Sequence, residues 1–380
     1  MLPRERVVAA FEQRPTDRTP TYQSGFSSRV ASALLGREAY VGGGIQQWRE
    51  ARALWQGPEA HREFLERSQR DALELVALLD LDYVRPSYWR LNEKPTRRLD
   101  ERTFLYGDPD GAYRVMRLDP ATELYQVIDR RPPEASTLEE LEREVEWAER
   151  ALPDYSPSAG DFPEITAALQ AYPDRAVPGA GIGISLPVNS TAWLVAVAER
   201  PDLVGHYLDV QVERAARTAQ AMAELGVRCI HGGGDFASNR GPNYSPRAFR
   251  ELMLPRLRRI SDACHRLGLY HMFASDGNLW PVASDLFGAS GVDAYYEIDR
   301  RAGMDLATLR QRFPRLTLLG NISSYTLHVG ARDDVIAETL SCLEAAHAYG
   351  GIIVGASNQI VAQTPIENVV AMLEIIRDNR

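Results

Sequence analysis

Residues 226–278 read GVRCIHGGGDFASNRGPNYSPRAFRELMLPRLRRISDACHRLGLYHMFASDGN. Two short apolar runs, at 226–231 and 269–275, bracket a stretch whose apolar residues recur at helical spacing. That stretch begins as helices begin: Ser245 offers a capping hydroxyl and Pro246 suits the first turn. Gly268 stops it, and Pro255 inside it predicts a kink. Strand, helix, strand is the repeating unit of a parallel sheet.

The same rhythm extends in both directions. Strand-like runs fall at 176–184, 226–231, 269–275, 292–298, 316–320 and 351–356, with helical runs between most of them. Thr364-Pro365-Ile366-Glu367 opens the last helix with the same cap and proline chemistry. Upstream, 3–14 reads as a short helix with Val7, Val8 and Phe11 on one side, and 17–22 as a first strand. Residues 59–80 read as an amphipathic helix with Phe64, Leu65, Leu73, Val76 and Leu78 turned inward, followed by a second strand at 81–85. Two early and six later strands make eight, the number that closes a (β/α)8 TIM-type barrel in the α/β class. An open doubly wound sheet wants a glycine-rich phosphate turn after the first strand, and none is there. Residues 102–131 break the rhythm: they alternate, with turns at Asp108-Pro109-Asp110-Gly111 and Asp119-Pro120, and predict a β-meander inserted into one domain spanning 1–380. Ser136-Thr137-Leu138-Glu139-Glu140 then offers a capping box.

Composition narrows the function. A net charge of −9 argues against non-specific nucleic-acid binding. No apolar run approaches the ~20 residues of a membrane span. The charged opening Met1-Leu2-Pro3-Arg4-Glu5-Arg6 has no apolar leader, and Cys229, Cys264 and Cys342 form no CxxC pair; together these lead us to expect a cytoplasmic protein.

Barrel enzymes collect their chemistry at the C-terminal ends of the strands. At those points this chain places Tyr22 and Gln23, then Arg85, then His231-Gly232-Gly233-Gly234-Asp235, Arg240, Asp276-Gly277-Asn278, Tyr296-Glu297, Asn321 and Asn358. Each has a bland reading. Asp-Gly is a common turn, Asp235 suits a cap, His231 suits a satisfied core position, and the asparagines suit loop backbone. Their convergence at one end of one barrel favours a site. Asp276 and Asp235 are its candidate acid–base groups. Tyr22, Gln23, Arg85, His231, Arg240, Asn278, Tyr296, Glu297, Asn321 and Asn358 are its candidate substrate contacts.

Several segments also carry a family likeness: RERVVAAFEQRPTDRTP (4–20), residues 233–269, FASDGNLWPV (273–282), GMDLATLRQRFP (303–314), LLGNISS (318–324) and residues 350–377. Together they resemble the uroporphyrinogen decarboxylase superfamily, nearer its methylcobamide-dependent methyltransferase branch. The resemblance implies a (β/α)8 barrel with its pocket at the strand C-termini, and a homodimer. The family's decarboxylases carry an arginine-rich segment after the first strand; here that region reads Thr19-Pro20-Thr21-Tyr22-Gln23-Ser24-Gly25-Phe26, which points away from uroporphyrinogen. Its methyltransferases hold zinc with an HxCG motif after the fifth strand and a cysteine after the eighth. The matching positions hold Ala274, Asp276 and Asn358. The expectation is therefore a metal-free site, with a zinc site rebuilt from Asp276, Asp235, His231 or Glu297 as the second reading. Three functions follow. The first is C1 transfer on a small molecule, with a corrinoid methyl donor or acceptor on a separate protein. The second is decarboxylase or acid–base lyase chemistry on a small organic acid. The third is a non-catalytic binding barrel.

Overall fold

The computed structural model describes residues 1–131, 137–188 and 190–380. Among the described residues the strands are β1 (Arg97–Arg98), β2 (Thr103–Gly107), β3 (Tyr113–Asp119), β4 (Leu124–Arg131), β5 (Gly179–Gly183), β6 (Cys229–Gly233), β7 (Ala237–Ser238), β8 (Gly241–Pro242), β9 (Tyr270–Ala274), β10 (Ala294–Tyr296), β11 (Thr317–Leu319) and β12 (Ile352–Ile353). Six of them form a parallel sheet in the order β12-β11-β10-β9-β6-β5. Two further segments join its ends. Tyr22 N donates to Val354 O (3.0 Å) and Val354 N to Pro20 O (2.9 Å). The amides of Asp82 and Tyr83 each donate to Thr21 O at 3.1 Å, and Val84 N donates to Ala176 O at 2.8 Å, just upstream of β5. The ring therefore closes with eight strands, the two early ones reduced to single parallel bridges at Thr21 and Tyr83.

Closure divides the core into two. Between the strands and the helices lies the large outer core, which includes Trp193, Phe249, Phe273 and Tyr295. Inside the ring lie Tyr22, Tyr83, Cys229, Met272, Ala294, Leu319 and Ile353. The helix Pro3–Phe11 plugs the N-terminal end, placing Val7, Ala10 and Phe11 against that interior, with Phe11 stacked on Tyr270 at 4.5 Å. Arg6 on the same helix pairs with the fully buried Asp82 at 2.7 Å.

The structure corrects several expectations. Strands are shorter than the apolar runs that announce them. The helix at Pro58–Leu78 buries Phe64, Ala72, Leu75 and Val76, but Leu78 is 53% exposed, because the helix ends there. Between Ser245 and Gly268 the helix carries a π-helical turn at Phe249–Met253, just ahead of Pro255. Pro255 lacks an N–H, so an irregular turn before it is where the ladder gives way. Two helices, Ser28–Leu35 and Gly44–Gln56, precede the long one and have no counterpart in the sequence reading. The capping box is built on Thr137 and Glu140; Ser136 lies outside the described residues.

The meander is the antiparallel sheet β1-β2-β3-β4, beginning five residues before the expected insertion at 102. Its Phe104, Tyr106, Met116, Leu118 and Tyr125 pack on Ala51, Trp48 and Ile45 of the helix Gly44–Gln56. The Glu123 carboxylate accepts from the amides of Ser28 (2.7 Å) and Arg29 (2.9 Å), so an anion from the meander caps the helix Ser28–Leu35. Among the described residues, no helix is long and apolar enough to cross a membrane.

Candidate active site

Alternation along the strands decides what faces the barrel interior. On β6 and beyond it, Cys229, His231, Gly233 and Asp235 fall in steps of two. On β9 the same steps give Tyr270, Met272, Ala274 and Asp276; on β10, Ala294 and Tyr296; and on 82–85, Tyr83 and Arg85. The interior thus grades from apolar at the plugged end to polar at the mouth.

The middle layer is aromatic. Tyr83 Oη lies 2.8 Å from His231 Nε2 and 3.1 Å from Met272 Sδ. The His231 and Tyr296 rings sit 5.0 Å apart, and Tyr296 Oη donates to Gly232 O at 3.0 Å. Tyr22 Oη donates to Ala356 O (2.8 Å), and Gln23 Oε1 accepts from Ala356 N (3.3 Å), tying the first strand to the eighth. Burial pushes the Tyr22 and Tyr83 hydroxyls up, so both stay protonated. His231 moves down to about 4, by burial first and Arg85 second, so its ring is neutral at pH 7.

Above this layer the charged groups meet. Asp276 N donates to Asp235 Oδ1 at 3.0 Å, and Asn358 Nδ2 donates to Asp276 Oδ2 at 2.9 Å. Glycines permit the approach. Gly233 has φ +128°, and a Cβ there would stand 2.3 Å from Ala274 O. Gly277 has φ +90°, and a Cβ would stand 2.8 Å from the Ala237 backbone. Asp276 is pushed up to about 6, by burial first and then by Asp235, while the Asn358 amide pulls it down. Glu297 is pushed up to about 8, by burial first and then by Asp276 and Asp235, with Arg85 opposing. The Arg85 guanidinium stacks 4.7 Å over the Tyr88 ring and donates from Nη1 to Ser24 O, while its buried Nε has no partner. Among the described residues it makes no ion pair.

Of the residues singled out in the sequence, the structure brings together Tyr22, Gln23, Arg85, His231, Asp235, Asp276, Tyr296, Glu297 and Asn358. Three stand apart. Arg240 is exposed in the β7–β8 turn. Asn278 accepts from Trp280 N at 3.1 Å, a local cap. Asn321 is buried in the helix layer, donating to Met304 O at 3.0 Å and accepting from the Cys342 thiol at 3.6 Å. Its neighbour Ile322 bridges Ala356, so this loop is still paired backbone and Asn321 faces outward. Tyr83 and Met272 complete the cluster and are absent from the sequence reading; the signal for Tyr83 was its place two residues before Arg85.

The uroporphyrinogen decarboxylase (URO-D) family model matches residues 188–379, just over half of the chain and everything from β6 to the last helix. The chain belongs to the URO-D family. Among solved structures, a methyltransferase from Methanosarcina mazei is similar over 100% of this chain and 99% of its own, at 20% identity and a TM-score of 0.66, which supports the barrel. More distant are a sugar phosphate isomerase/epimerase from Parabacteroides distasonis (11% identity, 57% of this chain and 74% of that one, TM-score 0.33) and 3-keto-D-glucoside 4-epimerase from E. coli (13%, 65% and 97%, 0.37). No curated protein matches the chain. Among the described residues no three His, Cys, Asp or Glu side chains converge closely enough to hold a metal ion. Asp235, Asp276 and the Asn358 amide are a poor donor set for zinc.

Proposed function

We propose that this URO-D family member is a C1-transfer enzyme that moves a methyl group between a small molecule and a corrinoid carried by a separate protein, using carboxyl groups where relatives use zinc. The observation that carries this reading is Asp276. It is held at the mouth by an amide donor, Asn358, and by Asp235 on its own N–H, at a position where the family resemblance implies a metal ligand. An Asn358 amide can neither ligate zinc well nor ionise, but it orients a carboxylate and favours its charged form. Near neutral pH Asp276 is then mostly ionised and available to accept a hydrogen bond or a proton. Arg85, a cation without an acidic partner, holds an anionic group of the substrate. The neutral His231, locked to Tyr83, and the Tyr296 hydroxyl shape the floor.

Arg85 also supports a second reading, a decarboxylase or acid–base lyase acting on a small organic acid. One assay separates the two. Purified protein is mixed with chemically reduced cobalamin and a panel of small methylated compounds, and methyl transfer is followed by the cobalamin absorbance. The first reading expects transfer from at least one compound. It expects Asp276→Asn to lower that rate about 100-fold or more, the usual span of a positioned acid–base group. No transfer with any compound, together with release of carbon dioxide from a small carboxylic acid, contradicts it in favour of the second. An Asp276→Asn rate within about a factor of two of wild type removes Asp276 from the mechanism under either reading.

A further inference from the structure

Glu297 follows β10 directly and differs from every other acid at the mouth. Its backbone sits at φ +62°, in the left-handed region that glutamate seldom occupies. The Asp235 carboxylate accepts from Asp276 N, the Asp276 carboxylate accepts from Asn358 Nδ2, and Asp299 caps the turn Arg300–Ala302. The half-buried Glu297 carboxyl makes no hydrogen bond and no ion pair among the described residues. It lies within electrostatic reach of Asp276 and Asp235, of Arg85 from the second strand segment, and of the hydroxyls of Tyr22, Tyr295 and Tyr296. A backbone held in a seldom-occupied conformation, carrying a half-buried acid at the barrel mouth with no hydrogen bond or ion pair among the described residues, marks a group kept for a ligand.

We propose that Glu297 is the proton donor of this site, entering the reaction as a neutral carboxylic acid. This rests on the C1-transfer reading. When a methyl group leaves an ether oxygen, the C–O bond breaks, its electron pair stays on oxygen, and that oxygen needs a proton. The balance is R–O–CH3 plus the anionic methyl acceptor (a reduced corrinoid or a thiolate) plus the Glu297 acid, giving R–OH, the methylated acceptor and the Glu297 carboxylate. Water at the mouth then restores the proton. The two acids divide the work: Asp276, supported by the Asn358 amide, stays charged, while Glu297, crowded by two carboxylates and lacking a donor, stays neutral. The chemistry names a substrate class. A methyl ether needs this proton; a quaternary ammonium, which leaves as a neutral amine, does not.

The test uses the full chain and the variants Glu297→Gln and Glu297→Asp. A glutamate whose acid form is favoured by folding makes the protein less stable as pH rises from about 4.5, its ordinary value, to about 8. Gln carries no such penalty. The melting temperature of Glu297→Gln should therefore rise relative to wild type across that window and then hold a constant lead. Parallel melting curves at all pH values overturn the proposal. In the reduced-cobalamin assay, Glu297→Gln should lose about 100-fold or more on methyl ethers and little on quaternary ammonium compounds. Glu297→Asp should restore part of the ether rate, and the wild-type ether rate should fall above about pH 8. Equal losses on both substrate types overturn the proposal. If wild type moves no methyl group at all, the C1 reading fails and this role falls with it; the melting curves then still report whether Glu297 holds a proton.

Discussion

Asp293 and Glu297 lie four residues apart, at opposite ends of β10, and the protein treats them in opposite ways. Asp293, at the plugged end, accepts from His271 N at 2.7 Å and from His265 Nε2 at 2.9 Å. Glu297, at the mouth, has no partner among the described residues. The contrast holds for the cations. At the plugged end Arg6 pairs with Asp82 at 2.7 Å, and Arg310 donates to the carbonyls of Pro314 and Leu316 and to Gln13. At the mouth Arg85 makes, among the described residues, a single side-chain hydrogen bond, to Ser24 O, and no ion pair. Polar groups at one end hold the fold together. On the proposed reading, Glu297 and Arg85 at the other are left for a substrate, at a cost in stability that its binding offsets.

Mutations sharpen that division. Arg6→Ala leaves the fully buried Asp82 with Arg18 at 3.7 Å and the Thr21 donors, so it should destabilise the chain by roughly 3 kcal/mol in denaturant unfolding while leaving the affinity of folded protein unchanged. A comparable loss from any mouth substitution would erase the distinction. Arg85→Met removes a buried, acid-free guanidinium. Its melting temperature should not fall, and the KM for an anionic substrate should rise about 10- to 100-fold, as expected for a charged hydrogen bond. A drop in stability with KM intact would make Arg85 a structural residue like Arg6. Tyr83→Phe sits at the boundary. Losing the hydroxyl between His231 and Met272 should lower stability by about 1 kcal/mol and turnover a few-fold, both small.

The plan of the barrel was legible because each strand run ends in polar punctuation and most intervening runs have helical spacing. The mouth was partly legible for the same reason: Asp235 and Asp276 follow inward-facing steps of two along β6 and β9. What escaped has physical causes. The helix Gly44–Gln56 turns Gln46, Arg49 and Glu50 inward, and Glu50 is fully buried against Arg90 and the amides of Leu91 and Asn92. A polar buried face leaves no apolar period to find. Tyr83 was passed over because one aromatic in an apolar strand reads as core, and only the closed ring shows that it faces His231. Asn321 misled in the other direction, since its position at a strand end said nothing about which side of the ring it would face. From sequence Glu297 reads as a substrate contact; its lack of a partner among the described residues is a property of packing, which sequence cannot show.

On the proposed reading, carboxyl groups at the mouth do the work that the family resemblance assigns to zinc. The most direct test is the metal content of purified, untagged protein by elemental mass spectrometry, measured beside methyl transfer to reduced cobalamin with and without a chelator. The account predicts zinc far below stoichiometric and a rate that the chelator does not change. About one zinc per chain, with activity lost on its removal and regained on its return, would contradict it.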